Sequence, residues 1–299
     1  VVYLPEHKRS DKLFFLLLAI LCSSSIALIF KISEKNEMNR FVVTTANYLI
    51  AFSVSLFMTF FSQPDWSLQS LPTLLGITGG IFFFLSFYYY QKCVRRSGAS
   101  LSGAFGKMGI LIPMIFSFIL WQEYPAMIQW VGIGLALLSI IIVNIPKKNE
   151  KGGFHIDLIF LFIFGGLAEF FNKIFQKYAT PSDDKNVFLF FIFLSAFIIS
   201  LTFSLFSILR EHKSRHKRKI NFKRDIFTGV AVGIPNLFSS FFLILSLDHL
   251  ETSIVFPVYS AGSIALISIL STLIFHEKLK GIEKVSILIT ILALVLVNL

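Results

Sequence analysis

The chain has 299 residues, 55% hydrophobic and only 15% charged, with a mean hydropathy of +0.76. Ordinary soluble domains carry about a quarter charged residues, so a water-soluble fold is excluded. The net charge of +10 does not indicate a nucleic-acid partner, because the basic residues sit in short segments between apolar windows, where they serve orientation in a bilayer.

A bilayer core about 30 Å thick needs about 20 apolar residues per helix. Leu13 to Phe30, Phe41 to Pro64 and Trp66 to Gln91 contain no Asp, Glu, Lys or Arg and predict the first three spans. Ser100 to Trp121, interrupted by Lys107, predicts the fourth, and Tyr124 to Pro146 the fifth. Ile156 to Gln176, interrupted by Glu169 and Lys173, predicts the sixth. Asn186 to Leu209, Ile226 to Leu247, Thr252 to Phe275 and Gly281 to Asn298 complete a count of ten. The windows are continuously apolar rather than alternating, which excludes a β-barrel and leaves helices. The first window reads as a spanning helix rather than a signal peptide, since no cleavage site and soluble domain follow it.

Shifting the chain by 154 residues superposes the fourth and fifth spans on the ninth and tenth, matching Ser117 with Ser271, Glu123 with Glu277 and Asn144 with Asn298. A five-helix repeat starts its second copy from the opposite membrane face, so loop charges should invert between the halves. They do. No Lys or Arg lies between the second and third spans, whereas Arg210 to Arg224 is strongly basic; Lys92, Arg95 and Arg96 follow the third span, and none follows the eighth. The predicted fold is an all-α membrane protein of ten transmembrane helices, built as two inverted five-helix repeats, residues 1–150 and 151–299. Retention of Lys and Arg in the cytoplasm places the loops after the odd-numbered spans inside and both termini outside, although Lys8, Arg9 and Lys12 compete with Lys31, Lys35 and Arg40 across the first span. Inverted repeats are a recurrent architecture of secondary transporters, with the substrate site near the midplane.

The stretch Ala99 to Asn144, with Gly103, Gly106, Gly109, Pro113, Gln122-Glu123 and Gly132-x-Gly134, resembles EamA-like members of the drug/metabolite transporter superfamily. So does its repeat, which ends His276-Glu277-Lys278-Leu279 and Asn298. The resemblance implies export of amino acids or other small metabolites through a cavity between the repeats, driven by a proton or electrochemical gradient and without a cofactor. It also implies cytoplasmic termini, the reverse of what the loop charges predict.

Glu169 lies roughly 20 Å along the sixth span, where ionisation against lipid costs at least about 2.5 to 3.5 kcal/mol, so it should face a cavity. Aligning the sixth span on the first, Leu158 on Leu13, pairs Glu169 with Ser24, so only the second repeat carries the acid. The small multidrug resistance branch resembles this arrangement, with a membrane-embedded glutamate in its first helix that exchanges protons for substrate. Lys107, on a face shared with Gly103, Ile110 and Met114, is the opposite charge. The two are either cavity charges that handle substrate and proton or a purely structural salt bridge. Further candidates for substrate contact are Asn172, Tyr259, Asn236, Ser24, Asn47 and Tyr48, with Ser240 and Ser263 behind them. Most such polar residues only bond across helices, for about 0.6 kcal/mol each.

The abundant phenylalanines read as lipid-facing residues, Tyr88 to Tyr90 as an interfacial belt, and Glu123 and Glu277 as structural or gating groups at opposite faces. Cys22 and Cys93 fall in no metal or redox motif, and no phosphate-binding loop or catalytic set occurs. The expected function is secondary export of a small polar metabolite such as an amino acid, with no metal or cofactor. Proton-coupled drug efflux and lipid-linked sugar flipping are alternatives, and an integral membrane enzyme is the alternative of another class. The expected partners are substrate, bilayer and protons, and a monomer in the bacterial inner membrane suffices because both repeats share one chain.

Overall fold

The computed structural model describes residues 7–35, 38–62, 70–97, 106–124, 126–143, 156–180, 184–212 and 221–275, together with positions 281, 284, 285, 288, 289, 292, 293 and 296. Gly103, Asn144, Glu277, Asn298 and the basic residues Lys213 to Lys219 lie outside them.

Among the described residues the fold is entirely helical. In chain order the helices are α1 (His7–Lys35), α2 (Arg40–Ser62), α3 (Ser70–Ser97), α4 (Leu111–Trp121), α5 (Met127–Val143), α6 (Ile156–Tyr178), α7 (Lys185–His212), α8 (Phe222–Leu247) and α9 (Thr252–Phe275). The isolated positions from 281 to 296 are also helical and fall within the last predicted span. Among the described residues, five segments are long and apolar enough to cross a membrane: Arg40–Phe61, Ser70–Tyr90, Ile156–Tyr178, Lys185–Ser207 and Phe222–Leu247. Leu13–Ile29, Gly106–Trp121 and Thr252–Ile267 are shorter apolar helices. Phe57, Phe61, Phe206 and Phe227 point outward, as lipid-facing residues do, whereas Phe175 and Phe188 stack at 4.2 Å in the interior. Tyr89 packs on Phe160 and Phe164 of α6 rather than serving only as an interfacial ring.

Helix ends are set by local chemistry. Asn39 caps α2, its Oδ1 accepting from the Phe41 amide at 3.0 Å, and Asn221 caps α8 by accepting from the Arg224 amide at 3.2 Å. Asp225, buried in the first turn of α8, accepts from the Asn39 amide at 3.0 Å and ties the starts of α2 and α8 together.

The fourth predicted span is not one straight helix. Gly106–Met108 forms a single turn, Gly109 and Ile110 form a bend, and α4 restarts at Leu111. Pro113 has no amide to offer the Gly109 carbonyl, which accepts from Ile112 at 3.0 Å instead. The helical face predicted to join Lys107 to Ile110 and Met114 is therefore interrupted. Ile110 and Met114 enter the core, while Lys107 stays half-buried before the bend.

The extensive contacts run between the two halves of the chain. Helix α2 packs on α7 and α8, α3 on α6 and α7, α1 on α8 and α9, α4 on α6 and α9, and α5 on α9. Exchanging α1 to α4 with α6 to α9 maps all of these except the α5 and α9 contact onto one another. Two of these seams are built on glycine pairs at i and i+4: Gly76 and Gly80 of α3 against α7, and Gly229 and Gly233 of α8 against α2. A Cβ on Gly80 would overlap the Ile192 carbonyl, and one on Gly233 would overlap Ile50 and lie 2.6 Å from the Asn47 carbonyl oxygen. A Cβ on Gly134 meets nothing within 4 Å. Gly80→Ala and Gly233→Ala should therefore each destabilise the detergent-solubilised protein by about 1–3 kcal/mol. Gly134→Ala should be neutral in the same thermal-unfolding assay, and equal melting points for all three would contradict the seam.

Candidate functional site

The interrupted fourth span carries Lys107 into the bundle. Gly109 and Gly166 lie backbone to backbone, so that no side chain fits between the bend and α6. This close approach brings Lys107 towards Glu169, which is one helical turn beyond Gly166 on α6. No ion pair within 4.0 Å joins them among the described residues, yet each lies within the other's electrostatic reach. The salt-bridge alternative thus fails in its direct form.

Each charge is held by neutral neighbours. Lys107 Nζ donates to Ser23 Oγ of α1 at 3.4 Å and lies 5.1 Å from the centre of the Tyr259 ring of α9. Glu169 accepts a 3.0 Å hydrogen bond from Asn172 Nδ2. Tyr259 Oη shares a 2.9 Å hydrogen bond with Ser239 Oγ of α8, and it also feels the Glu169 charge. Tyr259 follows Pro257 and Ser239 follows Pro235, so, together with Pro113 in α4, three of the contributing segments carry a proline-altered hydrogen-bond ladder. Asn172 is fully buried and its Oδ1 has no protein partner.

Lys107, Glu169, Asn172 and Tyr259, all marked by polarity in apolar windows, therefore form one cluster. Ser23 and Ser239 complete it, whereas their neighbours Ser24 and Ser240 were the serines singled out from sequence. A rotation of one residue on α1 and α8 makes the difference, and side-chain type does not encode it. The remaining candidates sit in helix seams. Ser24 donates to the Ile20 carbonyl at 2.7 Å and lies 3.4 Å from the Ser263 carbonyl; Ser263 donates to the Tyr259 carbonyl at 2.6 Å. Asn236 donates to Asn47 Oδ1 at 3.1 Å, between α8 and α2. Tyr48 donates to the Phe83 carbonyl at 3.2 Å and packs on Phe87 and Phe193.

A second polar cluster lies one turn farther along α6. Lys173, 2% exposed, donates to Glu123 Oε1 at 2.8 Å and to Gln176 at 3.0 Å, and it lies over the Trp121 ring. Glu123 Oε2 accepts from Ser117 at 2.7 Å and from the Thr252 amide at 3.3 Å, and Lys177 approaches Oε1 at 3.6 Å. Burial pushes the Glu123 carboxyl up, but the hydrogen bonds from Lys173 and Ser117, the Lys173 charge and the Thr252 amide outweigh it and hold the group down at about 2.

Chemically, the first cluster offers an acid and a base that attract one another without pairing, plus an unmet amide acceptor. Such an arrangement can engage a solute carrying both charges. Among the described residues no group of His, Cys, Asp and Glu is placed to hold a metal ion.

Comparison with known proteins agrees with this architecture. The EamA-like transporter family model matches residues 12–145 and 157–299, one match in each half. An uncharacterized protein of Haemophilus influenzae (strain ATCC 51907 / DSM 11121 / KW20 / Rd) is 21% identical over 295 residues, covering 93% of this chain and 95% of its own. A protein crystal structure of the same fold superposes with a TM-score of 0.71 at 15% identity, covering 96% of both chains. With two family matches spanning nearly the whole sequence, the chain belongs to the EamA-like transporter family, and it is a multi-pass membrane transporter rather than an enzyme.

Proposed function

We propose that the protein is a secondary active exporter of small polar metabolites such as amino acids. It works by alternating access between two inverted five-helix halves, residues 1–150 and 151–299, ten spans in all. The observation that carries this reading is the unpaired Lys107 and Glu169, held at one place by helices of both halves. Charges inside a bilayer are costly and mark substrate or proton paths, and a pair kept apart by neutral neighbours leaves each free for a ligand. Exchange symmetry in the helix packing supports the repeat, and discontinuous helices at a midplane site are a recurrent transporter device.

In this mechanism Lys107 and the Tyr259 hydroxyl engage the substrate carboxylate, while Glu169 and Asn172 Oδ1 engage its ammonium group. A proton arriving at Glu169 discharges the acid, weakens its hold on the ammonium and couples release to the gradient. Lys107 disfavours the alternative of cationic drug efflux, because it repels a cation entering the same site. The chain needs no cofactor and no nucleic acid, and it works as a monomer in a bacterial inner membrane with both termini outside.

In proteoliposomes under an imposed pH gradient, the wild type should move labelled zwitterionic amino acids and not cationic dyes. Glu169→Gln should abolish gradient-driven movement; full coupling in that variant would remove Glu169 from the mechanism. Lys107→Ala should cut amino-acid uptake about tenfold or more, the loss expected from deleting a charged hydrogen bond worth ~1.5 to 3 kcal/mol. Faster dye movement with amino-acid movement unchanged in Lys107→Ala would instead favour drug efflux.

A further inference from the structure

The proposed transport mechanism does not use the cluster of half-buried Glu123 and buried Lys173, although it stands next to the site. Lys173 is four residues beyond Glu169 on α6, about 6 Å along the axis towards the helix end. There Lys173 lies over the ring of Trp121 and is paired with the Glu123 carboxylate, beyond the Lys107 and Glu169 cluster on the same helix.

One carboxylate joins four chain segments there. It belongs to the short connection between α4 and α5, it accepts from Ser117 on α4 and Lys173 on α6, and it accepts from the first amide of α9 at Thr252. Its backbone is shaped for the task. Gln122, with φ of 51°, is the residue of positive φ other than glycine among those described, and this left-handed step ends α4 and turns Glu123 back over the bundle. The connection belongs to the first half, while α6 and α9 belong to the second, so the cluster bridges surfaces that must part if this face opens.

The lysine of this cluster has no counterpart in the first half: in the alignment of α6 on α1 that pairs Glu169 with Ser24, Lys173 meets Leu28, which is apolar and 8% exposed, although Glu123 and Ser117 match Glu277 and Ser271. A buried ammonium is costly to leave without its carboxylate, so a switch that separates Glu123 from Lys173 has two well-defined states rather than a continuum.

We propose that the Glu123 and Lys173 cluster is the gate closing the Lys107 and Glu169 site towards the face of the α4–α5 connection. Opening requires Glu123 to release Lys173 and the Thr252 amide together. Rigid-body separation of the first half's connection from α6 and α9 then exposes the site. The inference rests on the transport reading for the site it guards, but its geometry is testable without any solute.

Spin labels placed by Ala126→Cys and Thr180→Cys, with Cys22 and Cys93 replaced by Ala, report the separation of the connection from the end of α6 by pulsed electron resonance in nanodiscs. The parent should show a dominant short distance. Glu123→Gln and Lys173→Met should each add a population at longer distance, and the milder Ser117→Ala, which keeps the ion pair, should add a smaller one. Should the two charge variants fail to give monodisperse protein, Ser117→Ala alone decides the matter. A distance distribution unchanged from the parent would overturn the gate, and Glu169→Gln would still report on the site. Longer distances with no solute transported would uphold the gate and count against the substrate assigned to the site.

Discussion

The close approach of α2 to α8 and of α3 to α7 is the interaction on which the rest of the molecule depends. In lipid, apolar side chains gain little by leaving their surroundings, so helices associate through packing and hydrogen bonds that only near contact of their backbones permits. Gly80 and Gly233 grant that contact in the two seams, and Asn47 with Asn236 adds a buried hydrogen bond in one of them. Because each seam joins a helix of one half to a helix of the other, the halves are interleaved rather than set side by side. The interior that results is common to both.

Into that shared interior the chain places charges it cannot leave facing lipid. Glu169 and Lys173 stand one turn apart on the same helix, and each is given a different solution. Lys173 is paired directly, with Glu123 at 2.8 Å, and this contact ties the two halves together. Lys107 and Glu169 are supported by a hydroxyl, an aromatic face and an amide, so their mutual attraction is left partly unspent. The contrast separates a group that joins the halves from groups available to a ligand, and it follows from helix register and the bend at Gly109.

Much of this was legible from residue type. A Glu or Lys within an apolar window stands out, which is why Glu169, Lys107, Asn172 and Tyr259 were found together. Helix positions followed from window length, although the break before α4 depended on the way Pro113 and the Gly109 and Gly166 contact act jointly. Ser24, Asn47, Asn236 and Tyr48 looked equally polar but bond across or along helix seams, a use that polarity alone does not distinguish from substrate contact. Ser23 and Ser239 were missed because the rotation of α1 and α8 is decided by tertiary packing. Lys173 had been read only as an interruption of a span, since its partner lies 50 positions away in the chain. The paired glycines of α3 and α8, small residues at i and i+4 in both halves, are a signal of close helix packing that loop charge does not carry.

In the proposed function Lys107 and Glu169 jointly bind a solute bearing both charges. Direct binding tests it most simply, by the rise in melting temperature of the purified protein as zwitterionic amino acids, their amides and their deaminated acids are titrated in turn. Stabilisation by the zwitterion alone is expected, with the amide and the deaminated acid each ineffective because one charge finds no partner. Equal stabilisation by all three solutes, or by the amides alone, would contradict it.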